Sequence, residues 1–279
     1  MNQITGKAKL AGVIGWPVAH SRSPLIHNFW LERYKIDGVY IPLPVKDENF
    51  EILIRGMMAA GFRGCNVTIP HKERAFQICD VLDPNAQHIC SVNTLMFRDD
   101  GSIYGTSTDG DGFIASLEAQ NVNLEKGSAL ILGAGGAARS VVAALVQRNV
   151  SVFIANRTYE RAVELAKAYD LAQAIKWHEW PKHLENITLL VNATSLGMEG
   201  ANSCDFDLTH ASKDMVVSDI VYVPRETPLL KAARQRGLKT VEGLGMLLHQ
   251  ARFGFSQWFG VDPVVDQEIT ELLANSLKS

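Results

Sequence analysis

The chain has 279 residues, 47% of them hydrophobic and 20% charged, with 27 basic against 30 acidic side chains and a formal net charge of -3. This is the composition of a folded globular protein, which argues against disorder, and the length favours two domains. No basic excess exists to drive binding to nucleic acid, and no apolar stretch approaches the roughly 20 residues needed to cross a bilayer.

The opening segment, MNQITGKAKLAGVIGW, has no basic region leading into a long apolar run, so no signal peptide is expected and a cytoplasmic location is. Cys65, Cys79, Cys90 and Cys204 lack C-x-x-C spacing and read as reduced thiols, with no metal site expected. In such a protein the sequons at Asn66, Asn149, Asn156, Asn186 and Asn192 are accidents of composition.

In chain order, KLAGVIG reads as a strand and SPLIHNFWLERYKI as a helix, with Ser23 as N-cap and Pro24 at the first helical position. VYIPLPV reads as a strand whose two prolines place it at a sheet edge. NFEILIRGMMAAG is an amphipathic helix ending at Gly61, and GCNVTIP a further strand. If its alternation holds through Pro70, Asn66 and Thr68 share one face. KERAFQICDVL is expected to be helical, and VNTLMFRDDGSIYG to be a hairpin turning at Asp100-Gly101.

Beyond Asp109 the pattern grows more regular. SALILGAGGAARSVVAALVQR is a strand, a glycine-rich turn and a helix, while VSVFIANRT, ITLLVNATS and MVVSDIVY are further strands. ERAVELAKAYD and TPLLKAARQRG are helical segments between them, and the last forty or so residues read as helical. Strands alternating with helices predict an α/β protein with a parallel sheet covered on both faces.

Gly133-Ala134-Gly135-Gly136-Ala137-Ala138 matches G-x-G-x-x-G/A between a strand and a helix, the context that a dinucleotide pyrophosphate needs. About 20 residues on, where an acid would select NAD, stand Asn156 and Arg157, with Arg161 one turn later. Two guanidiniums can grip a 2′-phosphate, so NADP is favoured over NAD. Outside this unit, Ser21 and Ser23 lie at a helix start that could hold a substrate carboxylate, although an N-cap role accounts for Ser23 equally well. Lys72 is a candidate proton donor for a carbonyl reduction and Asp109 its partner; a surface lysine and a helix-capping aspartate are the plainer alternatives.

Taken together these blocks resemble the shikimate dehydrogenase family. GWPVAHSRSP, NVTIPHK, VNT, TSTDGDG, GAGGAAR, NRTYER, NATSLGM, DIVYVPRETPLL and EGLGMLLHQA follow that family's motifs in order, from residue 12 to about residue 251. The resemblance implies two α/β domains: a substrate-binding domain of residues 1–108 with 245–279, having a mostly parallel sheet, and a Rossmann-like NADP-binding domain of residues 109–244. It implies NADPH-dependent reduction of 3-dehydroshikimate to shikimate in aromatic amino-acid biosynthesis, or, as the alternative, a quinate/shikimate dehydrogenase with mixed cofactor use. It further implies Lys72 and Asp109 as the catalytic pair. Ser21 and Ser23 would hold the carboxylate, Asn66, Thr68, Asn93, Asp109 and Gln250 the ring hydroxyls, and Tyr222 would lie beside substrate and nicotinamide. Gly133, Ala134, Gly135, Gly136 and Ala137 would wrap the pyrophosphate, Asn156, Arg157, Thr158 and Arg161 the adenosine phosphate, and Thr194, Gly243 and Met246 the rest of the cofactor.

Three positions depart from the family pattern: Ser107 stands for the usual Asn, and Cys90-Ser91 for the usual Gly-Ala. The expected partner is a small molecule, not nucleic acid or membrane, and a homodimer is compatible with the sequence. The rival from another class is a sensor that binds shikimate-like acids without turnover; the presence of both Lys72 and Asp109 favours the enzyme.

Overall fold

The computed structural model describes residues 4–125, 127–198, 200 and 205–277, so Cys204 lies outside the described residues. The chain divides into two compact units, Met1–Thr108 with Leu248–Leu273, and Asp109–Leu247 with Ala274–Ser279.

The first unit contains β1 (Lys9–Gly15), α1 (Ser23–Arg33), β2 (Gly38–Pro44), α2 (Phe50–Ala59), β3 (Phe62–Val67), α3 (Lys72–Gln77), β4 (Val81–Leu82), α4 (Pro84–Ile89), β5 (Thr94–Phe97) and β6 (Ile103–Thr106). Its sheet runs β2-β1-β3-β5-β6-β4. The β2–β1, β1–β3 and β4–β6 pairs are parallel, and β5 lies antiparallel to both β3 and β6. The strand with two prolines, β2, is at the edge, where a missing N–H costs no ladder bond. One core packs Ile14, Phe50, Ile54, Cys65, Val67 and Leu95 together.

Three expectations are corrected here. The segment expected to be helical through Leu82 stops at Gln77 and re-enters the sheet as β4, because Asp83 starts a new helix: its carboxylate accepts the Ala86 N–H at 2.6 Å, with Pro84 in the first helical turn. β3 ends at Val67, so Thr68 is not on the strand with Asn66. Ser23 is not an N-cap; α1 begins at Ser23 itself after Arg22, and the Ser23 N–H donates to the Ser21 hydroxyl at 3.3 Å.

The second unit contains α5 (Asp109–Ala119), β7 (Ser128–Leu132), α6 (Gly136–Val146), β8 (Ser151–Asn156), α7 (Tyr159–Ala166), β9 (Ala172–Lys176), α8 (Trp180–His183), β10 (Leu189–Asn192), β11 (Val216–Asp219), α9 (Pro228–Gln235) and β12 (Lys239–Glu242). Then come α10 (Gly243–Phe259) and α11 (Gln267–Ser276), of which the stretch Leu248–Leu273 belongs to the first unit. The sheet order is β12-β11-β10-β7-β8-β9, with every pair parallel. Counted from β7, this is the doubly wound order of dinucleotide-binding sheets, and the order in which strands are added reverses between β7 and β10. Alternation along β7 feeds both faces: Ala129 and Ile131 join a core with Val141, Leu145 and Ile154, while Leu130 and Leu132 join one with Trp180, Leu229 and Leu230.

Candidate active site

In the first unit, sheet register gathers polar side chains on one face. Asn66 on β3 stands opposite Thr94 on β5, and opposite Val13 on β1. Ala11, two residues before Val13, pairs with Tyr40 on β2. An offset of two keeps Tyr40 on the face of Asn66, and a tyrosine is long enough to reach across the intervening strand.

The Tyr40 hydroxyl donates to Asn66 Oδ1 at 2.6 Å, and Asn66 Nδ2 donates to Thr94 Oγ1 at 3.0 Å and to the Asn93 carbonyl at 3.3 Å. Thr94 Oγ1 donates to Asn93 Oδ1 at 3.0 Å, and Asn93 Nδ2 to Thr108 Oγ1 at 3.1 Å. The Thr108 backbone N–H closes on Asn93 Oδ1 at 2.9 Å, while its hydroxyl approaches Gln250 Oε1 on α10 at 3.5 Å. Asn66, Asn93 and Gln250 are thus brought together in one buried network. Its other members, Tyr40, Thr94 and Thr108, were not among the residues expected from sequence. Buried hydroxyls and amides survive only when paired, and each group in this chain has at least one partner.

Thr68 follows the strand, its N–H bonded to the Ile14 carbonyl at 2.9 Å. Gly15 lets it come close: a Cβ there would stand 2.5 Å from Thr68 Cγ2. Lys72 opens α3, and its carbonyl accepts the Val92 N–H at 3.1 Å, which ties the lysine turn to the Asn93 segment. His71, just before it, is fully buried, with Nε2 2.8 Å from the Val45 carbonyl and its ring stacked on Phe50. Ser23 is buried and Ser21 half-buried at the start of α1. Of the departures, Ser107 and Ser91 are buried, and Cys90 ends α4 in a left-handed conformation with φ 51°, which a glycine adopts more readily.

In the second unit, Asp109 is the first residue of α5 and is buried. Gly133, at φ 117°, sits where a Cβ would lie 2.9 Å from the Ala193 carbonyl, so the turn after β7 passes tightly by the end of β10 where the strand order reverses. At Gly135 and Gly136 a Cβ would meet nothing within 4 Å. Open space therefore fronts the first amides of α6, which have no intrahelical partner. This cradle fits a pyrophosphate.

At the end of β8, Arg157 and Arg161 are exposed, and neither has an ion-pair partner among the described residues. Asn156 Nδ2 donates to the Thr158 carbonyl at 2.8 Å, shaping the turn that carries Arg157. Thr194 follows β10, its hydroxyl on Asn192 Oδ1 at 2.6 Å. The adjacent β11 ends in Asp219, fully buried, which holds Asn192 and the following loop through Val221 and Thr227; burial pushes its pKa up to about 6 against these hydrogen bonds. Tyr222 lies in that loop, half-buried. At Gly243 a Cβ would stand 2.4 Å from the Ile220 carbonyl, so this glycine is required by close packing whatever else it touches. Met246 packs against the α5–α6 side of the sheet.

Among the described residues, no helix is long and apolar enough to cross a membrane, and no cluster of His, Cys, Asp and Glu could hold a metal ion.

The sequence matches three family models: the shikimate dehydrogenase substrate binding domain over residues 13–95, shikimate / quinate 5-dehydrogenase over 115–243, and the shikimate 5′-dehydrogenase C-terminal domain over 243–267. It is 54% identical over 278 residues to a shikimate dehydrogenase (NADP(+)) of Gluconobacter oxydans, with 99% of each chain covered. The fold is similar to that of shikimate 5-dehydrogenase from Thermus thermophilus in complex with NADP(H) and shikimate, at a TM-score of 0.87 and 36% identity, covering 96% of this chain and 99% of that one. It is also similar to quinate dehydrogenase from Corynebacterium glutamicum in complex with NAD, at a TM-score of 0.89 and 29% identity, covering 96% and 99%. With family models spanning most of its length and a relative identical at more than half of its positions, the chain belongs to the shikimate dehydrogenase family.

Proposed function

We propose that the protein is an NADP-dependent shikimate dehydrogenase that reversibly reduces 3-dehydroshikimate to shikimate. Residues 1–108 with 245–279 form its substrate-binding domain and residues 109–244 its cofactor-binding domain. The observation that carries the reading is the buried network of amides and hydroxyls around Asn66, Asn93 and Gln250, in a chain so similar to known shikimate dehydrogenases. A polyhydroxylated ring is the kind of ligand that such a network recognises, because each unmatched hydroxyl would leave a buried polar group unpaired.

Ser21 and Ser23 bind the carboxylate at the start of α1. Asn66, Thr68, Asn93, Asp109 and Gln250 bind the ring hydroxyls, with Tyr222 beside the ring. NADPH, when bound, supplies the hydride to the carbonyl carbon. Lys72 stabilises the developing alkoxide and supplies its proton, and Asp109 orients the ammonium and the neighbouring hydroxyl. Gly133 to Ala137 receive the pyrophosphate, and Asn156, Arg157, Thr158 and Arg161 the 2′-phosphate, where an acid would repel it. Thr194, Gly243 and Met246 line the nicotinamide end. The enzyme works in the cytoplasm, and assembly as a homodimer, to be read by analytical ultracentrifugation, belongs to the same proposal.

Initial rates with shikimate and quinate, each paired with NADP and NAD, test the function. Shikimate with NADP is expected to be fastest; absence of turnover in all four pairings rejects it. A second reading, a quinate/shikimate enzyme using NAD, draws on the similarity to a quinate dehydrogenase with NAD. Quinate with NAD as the fastest pairing would favour it.

A further inference from the structure

Tyr40 is held more firmly than a strand residue needs to be. β2 is an edge strand, so the outward N–H and C=O of Tyr40 have no neighbouring strand. The Asn28 carboxamide takes both: its Oδ1 accepts the Tyr40 N–H at 3.1 Å and its Nδ2 donates to the Tyr40 carbonyl at 2.8 Å. The preceding residue of α1, His27, lies flat on the Tyr40 ring, with centroids 3.9 Å apart and planes 3° from parallel. His27 is itself enclosed by Trp30, Phe255 and Trp258. Neither of its ring nitrogens has a partner in hydrogen-bonding geometry; burial, partly opposed by the side chain of Asn66, pushes its pKa down to about 3. The ring is a neutral plate under the phenol.

The clamp holds the Tyr40 hydroxyl on Asn66, whose orientation its other neighbours decide. A carboxamide has two N–H donors and two acceptor lone pairs. A carbonyl only accepts, so the nitrogen of Asn66 must face Asn93 O, and both N–H bonds go to Asn93 O and Thr94 Oγ1. The Tyr40 hydroxyl occupies one lone pair of Oδ1 at 2.6 Å. One acceptor position is left.

We propose that Tyr40, clamped by His27 and Asn28, is a positioning residue that fixes the free lone pair of Asn66, which Asn93 O and Thr94 Oγ1 leave as an acceptor-only reader, toward a ligand hydroxyl that donates its proton. This rests on the reading that Asn66 binds the substrate ring. A ketone oxygen cannot donate, so the group Asn66 reads is a ring hydroxyl that stays a hydroxyl throughout the reaction, and not the oxygen that alternates between alcohol and ketone.

The test uses shikimate analogues in which the 4- or the 5-hydroxyl is replaced by hydrogen or by fluorine, since fluorine accepts weakly and cannot donate. Dissociation constants are measured by isothermal titration on the intact protein. At one of the two positions the deoxy and fluoro analogues are expected to bind equally weakly, about tenfold below shikimate, and Asn66→Ala is expected to close that gap to within threefold. Fluoro analogues that bind like shikimate at both positions would overturn the acceptor-only assignment. An Asn66→Ala protein that binds shikimate and every analogue as the unmodified protein does would instead reject the reading that Asn66 touches substrate. Tyr40→Phe removes one oxygen and keeps the stacked ring, which covers the case of an unfolded Asn66 variant. It is expected to raise the KM for shikimate five- to tenfold, with kcat within threefold and the KM for NADP unchanged. An unchanged shikimate KM overturns the clamp, and a matching loss for NADP assigns Tyr40 a merely structural role.

Discussion

Asp219→Asn is the substitution whose effect can be worked out most fully. The Asp219 carboxylate has no exposure at the end of β11, where Oδ1 accepts from Asn192 Nδ2 and the Val221 N–H, each at 3.0 Å, and Oδ2 from the Thr227 hydroxyl at 2.7 Å. Burial outweighs these bonds and raises the pKa from 3.8 to about 6. The folded state therefore holds a proton that the unfolded chain releases, so this group stabilises the fold below pH 3.8, and that stability is lost as pH rises toward 6. A shift of about two pH units corresponds to about 3 kcal/mol in full, of which about 2 kcal/mol falls between pH 4.5 and 7.5. Asparagine stays neutral and can still accept from Asn192 and Val221 while its own N–H₂ faces Thr227. Raising the pH from 4.5 to 7.5 should then lower the melting temperature of the unmodified protein by about 4–8 °C relative to the variant. Differential scanning calorimetry at four pH values reads this directly. A gap between the two proteins that stays constant with pH would refute the burial argument.

Lys72→Ala is expected to lower kcat by about 10²- to 10⁴-fold while the NADP dissociation constant stays within twofold, because a group acting on the reacting oxygen contributes little to cofactor binding; steady-state kinetics and fluorescence titration check both numbers. Arg157→Ala combined with Arg161→Ala should weaken NADP by about 10²-fold and leave NAD nearly unaffected, as the loss of two charge-assisted contacts requires. Equal weakening of the two cofactors would reject the 2′-phosphate assignment. Cys90→Gly should stabilise the protein by about 1 kcal/mol, since the φ of 51° at that position is left-handed and a Cβ is penalised there; urea denaturation measures it.

The second unit was the more legible from sequence, because parallel strands buried on both faces read as apolar runs, and the glycine turn falls where strand becomes helix. The strands it concealed, β9 and β12, are short and mix polar residues into AQAIK and KTVE, leaving too little apolar pattern to detect. In the first unit one overlooked signal was present: Asp83-Pro84 is an N-cap followed by proline, and it opens a separate helix just past Leu82, where the segment read as helical was expected to end. The serine pair was misjudged for a related reason. A serine before proline suggests a cap, yet the helix begins one residue earlier than that rule places it, and Ser21 is the one that accepts a backbone N–H.

The residues around Asn66 were hidden for a different reason. Tyr40 stands in a segment whose only local message is an edge strand, and nothing within VYIPLPV says which residue of β3 it will reach. That depends on two registers: Ala11 must pair with Tyr40, and Val13 with Asn66. Slipping either pairing by one residue would turn one of the two side chains to the opposite face. Asn66, Thr68 and Lys72 could be suspected from sequence because polar groups in an apolar strand are costly unless used. Tyr40, Thr94 and Thr108 could not, since tyrosine and threonine are ordinary strand residues. Residues whose burial is chemically anomalous are visible in a sequence, whereas residues that make the anomaly tolerable become visible only when the sheet is assembled. Here the second group decides which lone pair the first group has left to offer.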